Sequence, residues 1–147
     1  MLRALGTSLL LLAGSAGSAA ADNMCGDEPI APAIASPADE QAKSPADAAA
    51  AKHSAFQDIR RWQTELKTYR DCINASTEAD NRKIGETQRG DKPDPDKIKK
   101  IQADLASLNQ AYGNSTDDEE KVVNEFNALS VAYCTRSDVD KASCPKR

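Results

Sequence analysis

The chain has 147 residues, 39% of them apolar, 29% charged and 4% aromatic, with a net charge of -4 and one histidine. That is enough for one ordinary domain and too little for two. Phe56, Trp62, Tyr69, Tyr112, Phe126 and Tyr133 can support a helical core but are thin for a β-sandwich or barrel, and an acidic chain lacks the basic face that neutralises phosphates, so nucleic acid is not an expected partner.

Residues 1–21 read as a secretory signal. Arg3 supplies the positive charge, Leu9 to Ala13 the apolar centre, and Ala19-Ala20-Ala21 an A-x-A cleavage site. A transmembrane anchor needs about 20 predominantly apolar residues, and glycine and serine dilute this run beyond Ala13. Asn23-Met24 stands where a lipid-attachment motif before Cys25 would need small residues. No later segment is apolar enough to span a bilayer, so the expected location after cleavage is the periplasm or the medium. The triplets Asn74-Ala75-Ser76 and Asn114-Ser115-Thr116 would matter only in a eukaryotic secretory pathway.

Residues 22–50 contain Pro29, Pro32, Pro37 and Pro45, many alanines and few large apolar side chains. They are expected to form a disordered leader, because so little apolar surface cannot offset the ordering entropy. Residues 51–147 are then the helical domain. Its first helix opens at Ser44-Pro45-Ala46-Asp47, where serine suits the cap, proline the first position and aspartate the first turn.

Ala55, Ile59, Trp62, Leu66, Tyr69, Ile73 and Ser76 recur at steps of three and four, a stripe that only a helix gathers on one side, with Phe56 beside it. Arg61–Glu65 and Lys67–Asp71 are candidate ion pairs on the outer face. Beyond Ser76 the stripe fades, although Glu78–Arg82 and Arg82–Glu86 pairs could carry the helix on. Gly90 to Pro95 breaks it, and Asp94-Pro95 opens a second helix with Ile98, Ile101, Leu105, Leu108 and Tyr112 inward. Gly113-Asn114 is expected to end that helix. Thr116-Asp117-Asp118-Glu119 reads as a capping box for a third, whose core residues are Val122, Phe126, Leu129 and Tyr133. From Ser137 onward the chain is polar and irregular.

Cys25, Cys72, Cys134 and Cys144 are an even set in an exported chain, which predicts two disulfides. No C-x-x-C occurs, against a zinc knuckle or a thioredoxin-like site. If the first helix ends near Ser76 and the three rods run up, down and up, Cys72 and Cys134 come level. If that helix instead packs along its length to about Gln88, the two sulfurs sit roughly 20 Å apart at ~1.5 Å per residue, beyond any disulfide. The fading stripe favours the first layout, hence Cys72–Cys134 and, by remainder, Cys25–Cys144.

For chemistry, His53 is expected on the surface, and oxidised cysteines leave no Cys–His pair for nucleophilic catalysis. No G-x-S-x-G, P-loop or dinucleotide glycine pattern occurs. Asp91, Asp94 and Asp96 share a loop and could offer oxygen ligands to calcium, but the EF-hand glycine and terminal glutamate are missing, so no metal site and no cofactor are expected. Asp117 to Glu120 reads as an acidic helix start. Lys97, Lys99 and Lys100 read as a solvated face, with too few apolar partners for a membrane-surface helix.

The stretch Phe56-x-x-Ile59-x-x-Trp62-x-x-x-Leu66-x-x-Tyr69-x-x-Cys72-Ile73 resembles small secreted helical proteins of Gram-negative bacteria that have no assigned activity. The close Cys and Leu-Asp spacing of helical lysozyme inhibitors and the paired Leu-Thr-x-x-Gln segments of periplasmic stress chaperones are missing. The sequence therefore predicts an all-α protein, an antiparallel three-helix bundle with a disordered N-terminal leader and two disulfides. Its expected role is non-catalytic, through contact with a protein partner, the alternative being a divalent-cation or small-ligand binder.

Overall fold

A computed structural model describes residues 24–142 and 144; the expected signal peptide, residues 1–21, lies outside them. The described residues are all-helical, with α1 Pro37–Gln41, α2 Pro45–Arg89 and α3 Pro95–Thr135. These are not the three helices that turn signals suggest. The expected second and third helices are one continuous rod of 41 residues, and the first runs on for 45.

Both long helices open as the sequence indicates. Ser44 accepts a bond from Asp47 N and Asp94 from Lys97 N, each cap followed by proline. The expected break at Gly113 to Thr116 fails for a local reason and a tertiary one. Ser115 and Thr116 donate their hydroxyls back to Tyr112 O, at 2.7 and 3.1 Å, which holds the turn closed where a cap would open it. Arg70 of α2 then donates from Nε to Ser115 Oγ (2.9 Å) and from Nη2 to Ser115 O (2.6 Å), fixing this turn against the neighbouring helix.

Cross-helix contacts pair Lys52 with Tyr133, Phe56 with Phe126, Gln63 with Glu119 and Arg70 with Ser115. Residue numbers rise on α2 as they fall on α3, so the two rods form an antiparallel hairpin. Between them lie Ile59, Trp62, Leu66, Tyr69, Ile73 and Val122, with a second cluster of Ala48, Tyr133 and Val139 at the open end. Of the remaining expected core, Ile101 and Leu129 are buried, while Ile98, Leu105, Leu108 and Phe126 are half-buried. Phe56 and Tyr112 are not core, being 50% and 39% exposed on one flank of the hairpin.

The disulfides join Cys25 to Cys72 and Cys134 to Cys144, correcting the expected Cys72–Cys134 and Cys25–Cys144 pairs. The two layouts excluded one another on length, and the long helix is the one that exists. Tyr133 stands level with Lys52, so Cys72 lies about 30 Å along the hairpin from Cys134 at ~1.5 Å per residue. Chain-entropy models assign about 4 kcal/mol to a loop of 47 residues and about 3 kcal/mol to one of 10.

The leader is likewise not disordered over its described part. From Cys25 it runs along the hairpin, places Ala31 and Ile34 against the core, forms α1 and enters α2. Composition understates it because Cys25 is covalently fixed and Ala31 and Ile34 find buried residues of the hairpin to pack against.

Candidate functional site

Three polar or apolar constellations stand out on this hairpin, beginning with the leader and the groove it fills. Gly26, at φ +74°, turns the chain away from Cys25 in a conformation that side chains with a Cβ rarely adopt. Beyond it, Asp27, Ile30, Ala33 and Ser36 are exposed while Glu28, Pro29, Ala31, Pro32, Ile34 and Ala35 are half-buried. An exposed residue at every third position, with the two between half-buried, is the period of polyproline II. The sole tryptophan, Trp62, is 3% exposed and donates Nε1–H to Pro29 O at 3.0 Å. An indole N–H under a proline carbonyl satisfies the ring's one donor and fixes the segment's position along the groove.

Glu28 is the ill-suited member of this segment. Its Oε1 is buried with no hydrogen-bond partner, and burial, aided by Asp118, raises its carboxyl above the usual value while Arg70 pulls the other way.

The second constellation locks the helices at mid-length. Arg70 Nη1 pairs with Glu119 Oε2 at 2.5 Å, Gln63 Nε2 donates to Glu119 Oε1 at 2.9 Å, and the guanidinium lies 5.8 Å from the Tyr112 ring centroid. Beside this lock the Phe56 and Phe126 ring centroids are 6.1 Å apart, and Val123 is exposed one helical turn away. Phe56 and Cys72 lie about 160° apart around α2, at 3.6 residues per turn, on either side of its buried stripe. The aromatic flank therefore faces away from the strap.

The third constellation closes the open end. Glu40 is fully buried, pairs with Lys43 at 3.2 Å and keeps Oε1 without a partner. Arg136 donates to Glu40 O and Lys43 O at 2.8 and 3.0 Å and pairs with Asp138 at 2.9 Å, which lowers the Asp138 carboxyl. Lys52 sits 4.7 Å from the Tyr133 centroid, and burial lowers its ammonium against the pull of Glu40. Tyr133 donates to Asp140 O, and Lys141 to Cys134 O and Arg136 O, so the expected irregular tail is pinned by its backbone. A groove of about 390 Å³ also opens between the helices near Met24, lined by Asp80, Lys83, Lys100, Asp104 and small residues.

Several sequence candidates disperse. Asp94 serves as the α3 cap, and among the described residues no group of three His, Cys, Asp or Glu is placed to hold a metal, so Asp91, Asp94 and Asp96 are not gathered into one. Of the acidic run, Glu119 enters the Arg70 lock, and Lys100 alone of its lysine cluster reaches the groove. His53 is exposed against Gln57. All four cysteines are paired. Arg70, Glu40 and Arg136 were not singled out in the sequence, since a mid-helix Arg70 reads as solvent-facing, Glu40 falls in the expected leader and Arg136 at a helix end. The one available signal was Pro29-x-x-Pro32 preceding a helix with a single tryptophan. Comparison of the chain with family models, curated proteins and solved structures gives no match.

Proposed function

We propose that this is a non-catalytic protein of the bacterial envelope, periplasmic or secreted, that acts by contact with another protein. Two disulfides suit an oxidising, exported location, and among the described residues no helix is long and apolar enough to cross a membrane. The observation that carries the contact reading is the flank of Phe56, Phe126, Val123 and Tyr112. Phe56, Tyr112 and Val123 keep between a third and a half of their surface in water around half-buried Phe126, beside a fixed charged lock, which matches the composition of contact surfaces. A photo-reactive residue replacing Phe56 in the full chain should capture a discrete partner in envelope extract. The same residue replacing the exposed Lys99 on α3 should not, and equal labelling at both positions would remove this reading.

A second reading, a small-ligand binder, draws on the groove near Met24, whose volume is within the range of ligand sites. A native-state ligand raises the melting temperature by mass action. Calcium or a zwitterionic amino acid at millimolar concentration should do so if this reading holds, and unchanged melting with both would exclude those two ligands.

A further inference from the structure

We infer that the Trp62 groove is a recognition site for an extended, proline-bearing segment, which residues 28–35 occupy in cis and a like segment of a partner protein takes in trans once Cys25–Cys72 is reduced. The site is distinct from the aromatic flank and does not depend on it.

The resident segment has the features by which such segments are bound. It carries Pro29-x-x-Pro32, shows a three-residue burial period, and offers a proline carbonyl to a buried indole N–H at 3.0 Å. A polyproline II segment leaves its backbone carbonyls free of internal bonds and is stiff before it binds, so docking costs it little entropy. Its contacts are few and generic: a carbonyl on Trp62, and the apolar side chains of Ala31 and Ile34 against the core. Any chain of the same shape can make them. The resident is also imperfect, because Glu28 buries a carboxylate oxygen without a partner. A segment with a neutral residue at that place would fit better.

Retention of the strap rests on its two ends. Entry into α1 and α2 holds one, and the Cys25–Cys72 bond holds the other, with both cysteines half-exposed and Cys25 Sγ 3.6 Å from Ser76 Oγ. A dithiol reductant supplies two electrons and two protons. The Sγ–Sγ bond breaks, two thiols form, and the reductant leaves as its own disulfide. The strap then competes with external segments at an effective concentration set by one tether in place of two.

Trp62 is the only tryptophan, so its emission reports occupancy of the groove. The test uses the full mature chain with Cys25→Ser, Cys72→Ser, Ala31→Lys and Ile34→Lys, which evicts the strap, and a synthetic peptide of residues 26–36 of the natural sequence. The peptide should restore the buried-indole emission saturably, and a peptide with both prolines replaced by glycine, which keeps the carbonyl that Trp62 bonds, should bind about tenfold more weakly through lost preorganisation and apolar contact. Oxidised wild-type protein should bind neither peptide when each carries a dye and binding is read by anisotropy. If circular dichroism shows that the four-site variant has lost its helices, binding of the dye-labelled peptide to wild-type protein held in dithiothreitol is measured by anisotropy, because the resident strap already buries Trp62. Absence of saturable recovery in a helical four-site variant, absence of saturable anisotropy in the reduced wild-type protein, or equal binding of the glycine peptide overturns the proposal. A response from the oxidised protein retains the groove and overturns the redox gate.

Discussion

At the scale of single residues, two glycines of one chain should respond oppositely to the same substitution. Gly26 sits at φ +74° with open space around its missing Cβ, so Gly26→Ala meets only backbone strain and should destabilise by about 1 kcal/mol. Gly113 lies inside α3, also with open space, and Gly113→Ala should stabilise by about 0.5–1 kcal/mol. Urea midpoints of the two variants check the signs. Glu28 offers a pH counterpart. Its folded carboxyl titrates above its ordinary value, so its contribution to stability is fully present below the unfolded pKa and is lost as pH rises through the folded one. Glu28→Gln should therefore melt higher than wild type at neutral pH, and the difference should close below about pH 4. A melting difference independent of pH would assign the effect to shape instead of charge.

At the scale of elements, the caps of the two long helices and the break at Gly90 were legible, and the false boundary at Gly113 to Thr116 was not recognisable as false. Ser44-Pro45 and Asp94-Pro95 place caps and first positions where the structure has them, because capping is a matter of a few adjacent atoms. Gly113-Asn114-Ser115-Thr116 has every mark of a boundary, yet α3 passes through it. The cost of glycine and asparagine in a helix is at most about 1 kcal/mol each, and the Arg70 lock with the packing on either side outweighs it. That lock comes from a residue 45 positions away, which no local pattern contains. Arg70→Met should cost about 1.5–3 kcal/mol, the scale of hydrogen bonds to a charged group. Loss of helicity should centre on residues 112–119, read by amide exchange, and uniform loss along α3 would deny the lock its local role. The stripe on α2 was fully legible over its proximal half. Its distal half is helical through half-buried Ile84 and pairs such as Lys83–Asp80, a weaker pattern that spacing alone leaves undecided.

For the whole molecule, the all-helical class and the presence of two disulfides followed from aromatic content, periodicity and an even cysteine count in a chain read as exported. The pairing did not follow, because it depends on how far α2 extends, and two internally consistent layouts gave opposite answers. The site was legible only in fragments: Trp62 read as core, which it is, while the segment above it read as a disordered leader. A proline-rich segment looks unstructured whenever its partner surface lies elsewhere in the chain.

The topology of the cross-links has a consequence for integrity. Cys25–Cys72 lies wholly before the turn at residues 90–94, and Cys134–Cys144 wholly after it. No covalent bridge spans the two rods. A single protease nick in that turn should yield two pieces that run separately on a denaturing gel even without reductant, yet travel together under native conditions, joined by the buried seam and by the non-covalent bonds of Arg70, Gln63 and Arg136 across it. The molecule is in this sense already divided into complementary halves, each with its own staple.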